Sequence, residues 1–439
     1  MKTKIAVIIT LIAFSFSGIS QKKWTLKECV SYALEHNITI KQNALNVALS
    51  EEDVVQAKGN FLPNLNASSS PGMNFGSSIG QNGARISTDN FRTSFSLNSN
   101  ATLFNGFRNL NTFKQAQLGV ASSKLELQKI QDDISLNVVN AYLNILFAKE
   151  NLNVASVQYE ISKKQIERAK NQVEAGVKAK GELLNVESSA ATDAQNVVAQ
   201  ENTLNLALLT LAQLLQVSTE NFDIANLDLG SPSIATLYDD SDVVYKKAVI
   251  DRPEIIKAQI DIENANLGID IAKGRYLPTL SFSAGAGTSY QHSFSFSNQY
   301  FFKQVENNLG YSIGLSLNIP IFNRFQTKSG VDKSIINQEK SEINLESQKL
   351  QLKATIERVF LDAKAATKTY EAAQTSLVSQ NEAYKNAQER YNFGAMTMFD
   401  FDQVRNRLVT AQSSLIRAKY DYVFKSKVLK FYYGESILD

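Results

Sequence analysis

Along this chain the spacing of apolar residues switches between a helical repeat and a strict every-other-residue repeat, and it does so twice. Thr25-Leu-Lys-Glu28 reads as a capping box that opens a helix, and helical spacing continues to Lys58-Gly59. After Phe61-Leu62-Pro63 the period falls to two. Between Phe91 and Leu103 the odd positions include Phe91, Phe95, Leu97, Ala101 and Leu103, set against Arg92, Ser94, Ser96, Asn98 and Asn100. From Leu309 to Ile321 every odd position is apolar, and the even ones are Gly, Ser, Asn and Pro. Leu280, Phe282, Ala284 and Ala286 alternate with Ser281, Ser283 and Gly285, and Leu65 to Ser69 is a weaker case. Strands of about ten residues with one apolar and one small polar face fit a transmembrane β-barrel. Phe104, Phe107, Tyr276, Tyr290, Phe322 and Phe325 gather near the run ends, where an interfacial girdle belongs. The rival reading of the same pattern is a soluble, half-buried sheet. Ser70 to Asn90 and Gln291 to Asn308, rich in Gly, Ser, Asn and aromatics, read as exposed loops that make each strand pair a hairpin.

Each strand pair is followed by a long helical pattern. From Gly106 to Ala175 there is no proline, and such a helix would reach roughly 100 Å. Its seam (Ile134, Val138, Ala141, Ile145, Ala148, Leu152) steps in threes and fours, as does Leu352, Ile356, Val359, Ala363 in the second half. Small residues in these seams allow close helix packing, and nothing in them requires a cofactor. Both long patterns end at a glycine and restart at an acid six residues on: Gly176 to Glu182, and Gly394 to Asp400. Glycine accepts the left-handed backbone that ends a helix, and a carboxylate suits the positive start of the next.

The two halves are copies of one unit. Phe61-Leu-Pro63 pairs with Tyr276-Leu-Pro278, Leu103-Phe-Asn-Gly-Phe107 with Ile321-Phe-Asn-Arg-Phe325, and Gly176 with Gly394. The offset grows only from 215 to 218 residues. The expected layout is a signal peptide over 1–20 and a first repeat over 21–216 with strands at about 64–104. A linker follows over 217–240 around Gly230-Ser-Pro232, then a second repeat over 241–434 with strands at about 279–322, and a tail over 435–439. Asp251-Arg-Pro253-Glu254 restarts a helix with proline near its first position.

Composition narrows the setting. Lys2 and Lys4, the apolar run Ile5 to Phe16 and Gly18-Ile-Ser20 have the form of a secretory signal. The net charge of +2 gives no reason to expect nucleic acid as a partner. Cys29 is the only cysteine, so no disulfide framework is available, and it reads as a small buried residue. The two histidines, His36 and His292, lie far apart without clustered acids, so no metal site is expected. No phosphate loop, dinucleotide fingerprint or nucleophile–base pair is evident; neither an enzyme nor a cofactor is expected. No apolar stretch after the signal is long enough for a transmembrane helix, so a membrane crossing must use strands. Four strands cannot close a barrel that needs about eight, so the chain must pool strands with copies of itself, and three chains would supply twelve.

The duplicated helix, Leu-Pro, strand pair, Phe-Asn and long-helix unit, with its glycine-to-acid tips, resembles the TolC family of outer-membrane efflux channels. The resemblance covers about Trp24 to Gly434. It implies a mainly α fold with transmembrane β: long coiled-coil hairpins forming an α-barrel, and four strands per chain in a shared twelve-stranded β-barrel of a homotrimer. It also implies an exit duct for a tripartite efflux or type I secretion system, set in outer-membrane lipid. Its partners would be a periplasmic adaptor and an inner-membrane pump. The family's periplasmic mouth is closed by the inner helix pair of the second repeat and opens like an iris. By position, the first gate acid falls on Glu182, the gate tyrosine on Tyr391 and the narrowest acid ring on Asp400. A second acid is replaced by Gln403, with Asp402 beside it facing elsewhere, and a basic gate residue by Met396. The adaptor-contacting tips fall around Gly176 and Gly394. Each has a plainer reading: Asp400 and Glu182 as helix caps, Tyr391 as a packed ring. The competing assignment for the whole chain is a soluble periplasmic coiled-coil adaptor or envelope scaffold.

Overall fold

A computed structural model describes residues 23–81, 83–227, 238, 240–295 and 297–437. The expected signal peptide and Gly230-Ser-Pro232 lie outside them. In chain order the elements are β1 (Lys23–Trp24), α1 (Leu26–His36), α2 (Ile38–Gly59), β2 (Asn66–Asn74), β3 (Ser77–Ile79), β4 (Arg85–Ser87) and β5 (Asn90–Phe104). Then come α3 (Arg108–Glu174), α4 (Lys180–Leu215), β6 (Asp223–Ile224), α5 (Ser241–Asp251) and α6 (Pro253–Lys273). The chain ends with β7 (Thr279–Ser293), α7 (Phe301–Asn307), β8 (Gly310–Asn318), α8 (Gln326–Asn392) and α9 (Met398–Tyr433). The long helices fall where the unbroken helical spacing placed them.

The chain forms two compact units, each drawing segments from both halves of the sequence. One comprises Ala44–Glu126 and Ile256–Ser347. Its centre is a four-stranded antiparallel sheet in the order β2-β5-β7-β8. The register carries the alternation across all four strands. Ala67, Leu97, Ala286 and Tyr311 lie in one row, and Ala101, Phe282 and Leu315 in another. The opposite face carries rows such as Asn66, Asn98, Gly285, Ser312 and Ser70, Ser94, Ser289. The apolar row of β8 is open: Tyr311 and Ile313 are 78% and 81% exposed. Among the described residues no core covers most of this apolar face, and β2 and β8 are the sheet's free edges.

Both strand-to-helix junctions use two consecutive left-handed residues, Gly106-Phe107 and Arg324-Phe325, which places the two copies of the Phe-Asn motif in one backbone form. At the first junction the Gly106 and Gly274 backbones touch, and a side chain on either would meet the other's carbonyl. Asn109 donates to the Asn60 carbonyl at 2.9 Å and Gln115 to that of Asn264 at 2.9 Å, fastening α3 to α2 and α6.

Two loop regions are more ordered than the sequence pattern suggested. Ser70 to Asn90 extends β2 and adds the β3–β4 hairpin, and Gln291 to Asn308 contains α7. Helical spacing in the first segment breaks at Asn37, whose side-chain oxygen accepts from the Thr39 N–H at 2.9 Å while its amide donates to the Leu214 carbonyl at 3.2 Å. The Thr25–Glu28 capping box and the Pro253 helix start are present as expected.

The other unit comprises Met1–Asn43, Leu127–Ile255 and Gln348–Asp439, of which the described residues are mostly helical and pack around a main apolar core and smaller clusters. Cys29, Val138, Tyr142, Ile145, Leu211 and Leu215 are buried at the centre of the main core. The linker is tied to this core. β6 pairs in parallel with β1, the Tyr142 hydroxyl donates to the Ala225 carbonyl at 2.7 Å, and Lys149 meets Asp223 at 2.5 Å.

Candidate functional site at the hairpin tips

The helix pairs α3–α4 and α8–α9 reverse at Gly176 and Gly394, with φ of 71° and 73°. The two turns share their two closing bonds. Gly176 N–H donates to the Val173 carbonyl and Val177 N–H to that of Gln172. Gly394 donates to Tyr391 and Ala395 to Arg390. Each is a glycine-terminated helix end in which the last carbonyls are satisfied by the reversing chain. No added side chain would meet anything at either glycine, so only the left-handed backbone demands it.

Beyond the turns the chemistry diverges. Thr397 caps α9: its hydroxyl oxygen accepts from the Asp400 N–H at 3.1 Å and its hydroxyl donates to Asp400 Oδ2 at 2.7 Å. Asp400 is thus engaged as a cap while remaining exposed. Together with Gln403 it lines an open hollow that also includes Met396, Arg390 and Arg407. On α4 the cap position is Ala179, which has no side-chain bond to offer. Glu182 instead accepts from Lys178 Nζ at 2.6 Å, and the same ammonium reaches the Tyr391 hydroxyl at 3.2 Å and lies 4.6 Å from its ring centroid. Burial works to lower the Lys178 pKa, but the bonds to Glu182 and Tyr391 outweigh it and the net shift is upward. Glu182 and Tyr391 are therefore brought together through a lysine that the sequence reading did not single out. Lys178 occupies, on the first tip, the place relative to glycine that Met396 holds on the second.

Tyr391 is also packed. Its ring stacks on Phe401 at 5.0 Å and 15°. Phe401 sits in an apolar cluster with Ala169, Val186, Ala387 and Met398, and Met396 rests against that cluster. Met396 thus contributes packing where the resemblance implied a charge. Arg168 Nη1 donates to Asn392 Oδ1 at 2.7 Å, a second direct bond between the hairpins.

The strongest inter-hairpin feature was missed altogether. Arg405 on α9 has a side chain only 3% exposed. Its guanidinium donates to Ser162 Oγ at 2.8 Å on α3 and lies 3.4 Å from Asp193 Oδ2 on α4 and 3.3 Å from Asp402 Oδ1. With the Gln158 amide assigned oxygen-inward, that oxygen accepts from Nη1 at 3.1 Å and Nε at 3.0 Å. Ser162 donates to Asp193, and Ser189 donates to Asp402 Oδ2 at 2.9 Å. Asp402 Oδ1, by contrast, makes no aligned hydrogen bond. Burial raises the Asp402 pKa, and Arg405 and Ser189 offset this only in part, with Asp193 adding to the rise. Asp402 does face away from Asp400, as its place on a helix demanded. One buried guanidinium thus joins α3, α4 and α9.

The sequence model of the family described as "Outer membrane efflux protein" matches residues 29–216 and 244–435. The chain belongs to that family. It is 25% identical to the outer membrane protein TolC of Salmonella enteritidis over 455 residues, covering 99% of this chain and 86% of the relative. Its fold is similar to that of CusC, with a TM-score of 0.79 at 18% identity over 94% of this chain and 92% of that one. It is also similar to VceC of Vibrio cholerae, with a TM-score of 0.76 at 16% identity over 94% and 96%. This efflux protein is accordingly an outer-membrane channel for efflux or secretion, with a large helical periplasmic part. That decides between the duct and the soluble adaptor or scaffold.

Proposed function

We propose that three copies of this efflux protein join edge to edge into one twelve-stranded barrel and serve as the passive exit duct of a tripartite efflux or type I secretion system. The carrying observation is the four-stranded sheet, with an exposed apolar face and unpaired edges at β2 and β8. In lipid, free edges leave backbone groups without partners, and a closed ring of strands removes them. The repeats over 21–216 and 241–434 supply two strands and one long hairpin each. Energy comes from an inner-membrane pump, reached through a periplasmic adaptor that meets the tips around Gly176 and Gly394. The chain itself provides no catalytic centre. Native mass spectrometry of the detergent-extracted protein checks the assembly. Three copies are expected, and a stable monomer would end the proposal.

The tips form the gate. Lys178, holding Glu182 and Tyr391 together, and Arg405, holding Asp193 beside Asp402, keep the second hairpin against the first. Opening has to part both sets. Asp400 supplies the acid ring at the constriction, with Gln403 beside it, and Arg390 and Arg407 moderate its pull on cations. Met396 closes the mouth by packing rather than by charge.

A further inference from the structure

The helix α7 sits in a place that the exit duct does not require. It lies on the sheet's apolar face, close to the loop that joins β7 to β8. Phe301 packs edge-on against Tyr290 at 5.0 Å and against Phe95 at 6.4 Å. Tyr290 is paired with Thr93, and Thr288 with Phe95, so all four residues share the apolar face. Thr93 is buried there, on a face that is otherwise open. The Thr288 hydroxyl donates to the Val305 carbonyl at 2.6 Å, the Gln291 N–H donates to Gln304 Oε1 at 3.0 Å, and Asn308 Nδ2 donates to the Ser289 carbonyl at 2.7 Å. The helix is pinned along β7 rather than hung from a loop.

Having placed one ring against the sheet, α7 turns others away from it. Tyr300 and Phe302 are 90% and 82% exposed, and nearby Phe294 is 55% exposed. Lys303 is matched by Glu306 at 3.2 Å, so the helix carries little net charge to hold it in water. Large aromatics left open beside a polar backbone suit the border between lipid headgroups and acyl chains.

We infer that α7 is a lateral foot of the channel, bedded at the headgroup–acyl border of the outer leaflet with Tyr300 and Phe302 in lipid. Three placements select lipid over a second copy of the chain. α7 rests on β5 and β7, the two central strands, whereas a neighbouring copy would attach at β2 or β8. Its seat is continuous with the exposed apolar row of the sheet. It lies at the hairpin-loop end of the strands, the end opposite the junctions that lead into the periplasmic helices. Beside it the same face dips into a shallow cleft lined by Ala67, Phe95, Leu97, Ala286 and Leu309, which an acyl chain can fill. The inference rests on the membrane-inserted sheet of the proposed duct.

The test places a single tryptophan in the full-length protein. In a Trp24→Phe background, Phe302→Trp is reconstituted into phosphatidylcholine vesicles with bromine at the 6,7 acyl positions. Ile313→Trp, on the open row of β8, reports separately on the sheet. The expected result is a blue-shifted Phe302→Trp emission, quenched at least twofold by bromine, alongside quenching of Ile313→Trp. Quenching at 313 with water-like, unquenched emission at 302 overturns the foot and leaves the barrel standing. Loss of quenching at both positions overturns the inserted sheet and the foot with it. Tyr300→Trp, at the N-cap two residues away, repeats the reading should the first variant assemble poorly.

Discussion

The two hairpin tips share a backbone and differ in nearly everything attached to it. Both reverse through a left-handed glycine, and both carry an acid six residues later. At the second tip Thr397 stands three residues after the glycine, and Asp400 turns back to complete its own helix cap. At the first tip Ala179 occupies the equivalent place and cannot cap, so Glu182 reaches out to Lys178 and through it to Tyr391. A single position thus directs one acid inward to local structure and the other outward to the neighbouring hairpin. The motif sets the turn; the residue beside it sets the job. Neither tip alone holds the hairpins together, because Arg405 does so behind both.

The largest expected effect comes from removing that shared element. Arg405→Met leaves the half-buried Asp193 and Asp402 without their counter-charge, at a cost of about 3 kcal/mol. Thermal unfolding and single-channel recording should show a less stable and more frequently open protein. A parent-like melt with parent-like closure would leave the tips as the sole lock. The two aspartates should then separate. Asp193→Asn removes the charge facing the guanidinium and weakens the bond accepted from the Ser162 hydroxyl, and should cost about 2 kcal/mol. Asp402→Asn should cost less than about 1 kcal/mol at neutral pH, because burial already disfavours its charge. The sign follows from linkage. Asp402 has a folded pKa above its ordinary 3.8, so its contribution to stability is full below that value and fades as pH rises through the folded pKa. Denaturant melts at pH 3.5 and pH 8 should therefore lie closer together in Asp402→Asn than in the parent.

Next in size is an exchange between the tips. Thr397→Ala gives the second tip the first tip's uncapped start and should cost about 1 kcal/mol. Ala179→Thr offers Glu182 a cap, and any gain should come with loosening of the Lys178–Tyr391 contact. Amide exchange at the two turns reads both changes. If Thr397→Ala leaves protection unchanged, Asp400 is not held by its cap. The smallest effect on stability belongs to Asp400→Asn, which keeps the cap and removes the charge. It should weaken block of the pore by multivalent cations, and unchanged block in bilayer recordings would take Asp400 out of the ring.

What could be read from the residues alone was what is local in sequence. The alternation in β8, the glycine-ended helices, the Thr25–Glu28 box and the Pro253 start each depend on neighbours a few positions away. Arg405 was invisible because its partners come from another hairpin: Ser162 and Asp193 are more than two hundred residues distant, and nothing in the local spacing pairs α9 with α3 and α4. Lys178 escaped for the same reason, since its second partner, Tyr391, lies on the other copy. The helix α7 was hidden in an aromatic, polar stretch with no helical period. It exists because Thr288, Gln291 and Ser289 on β7 hold it there.

The strand order has one more implication. Within a chain, the last strand of the first repeat lies beside the first strand of the second, as β5 beside β7. If β8 of one molecule meets β2 of the next, that seam unites the last strand of a second repeat with the first strand of a first repeat, again antiparallel. A trimer of this kind is a hexamer of half-proteins, in which covalent and non-covalent joints alternate around the rim but look alike to the barrel. Evolution could therefore shift the peptide break from one joint to the next, or fuse all six halves, without redrawing the wall.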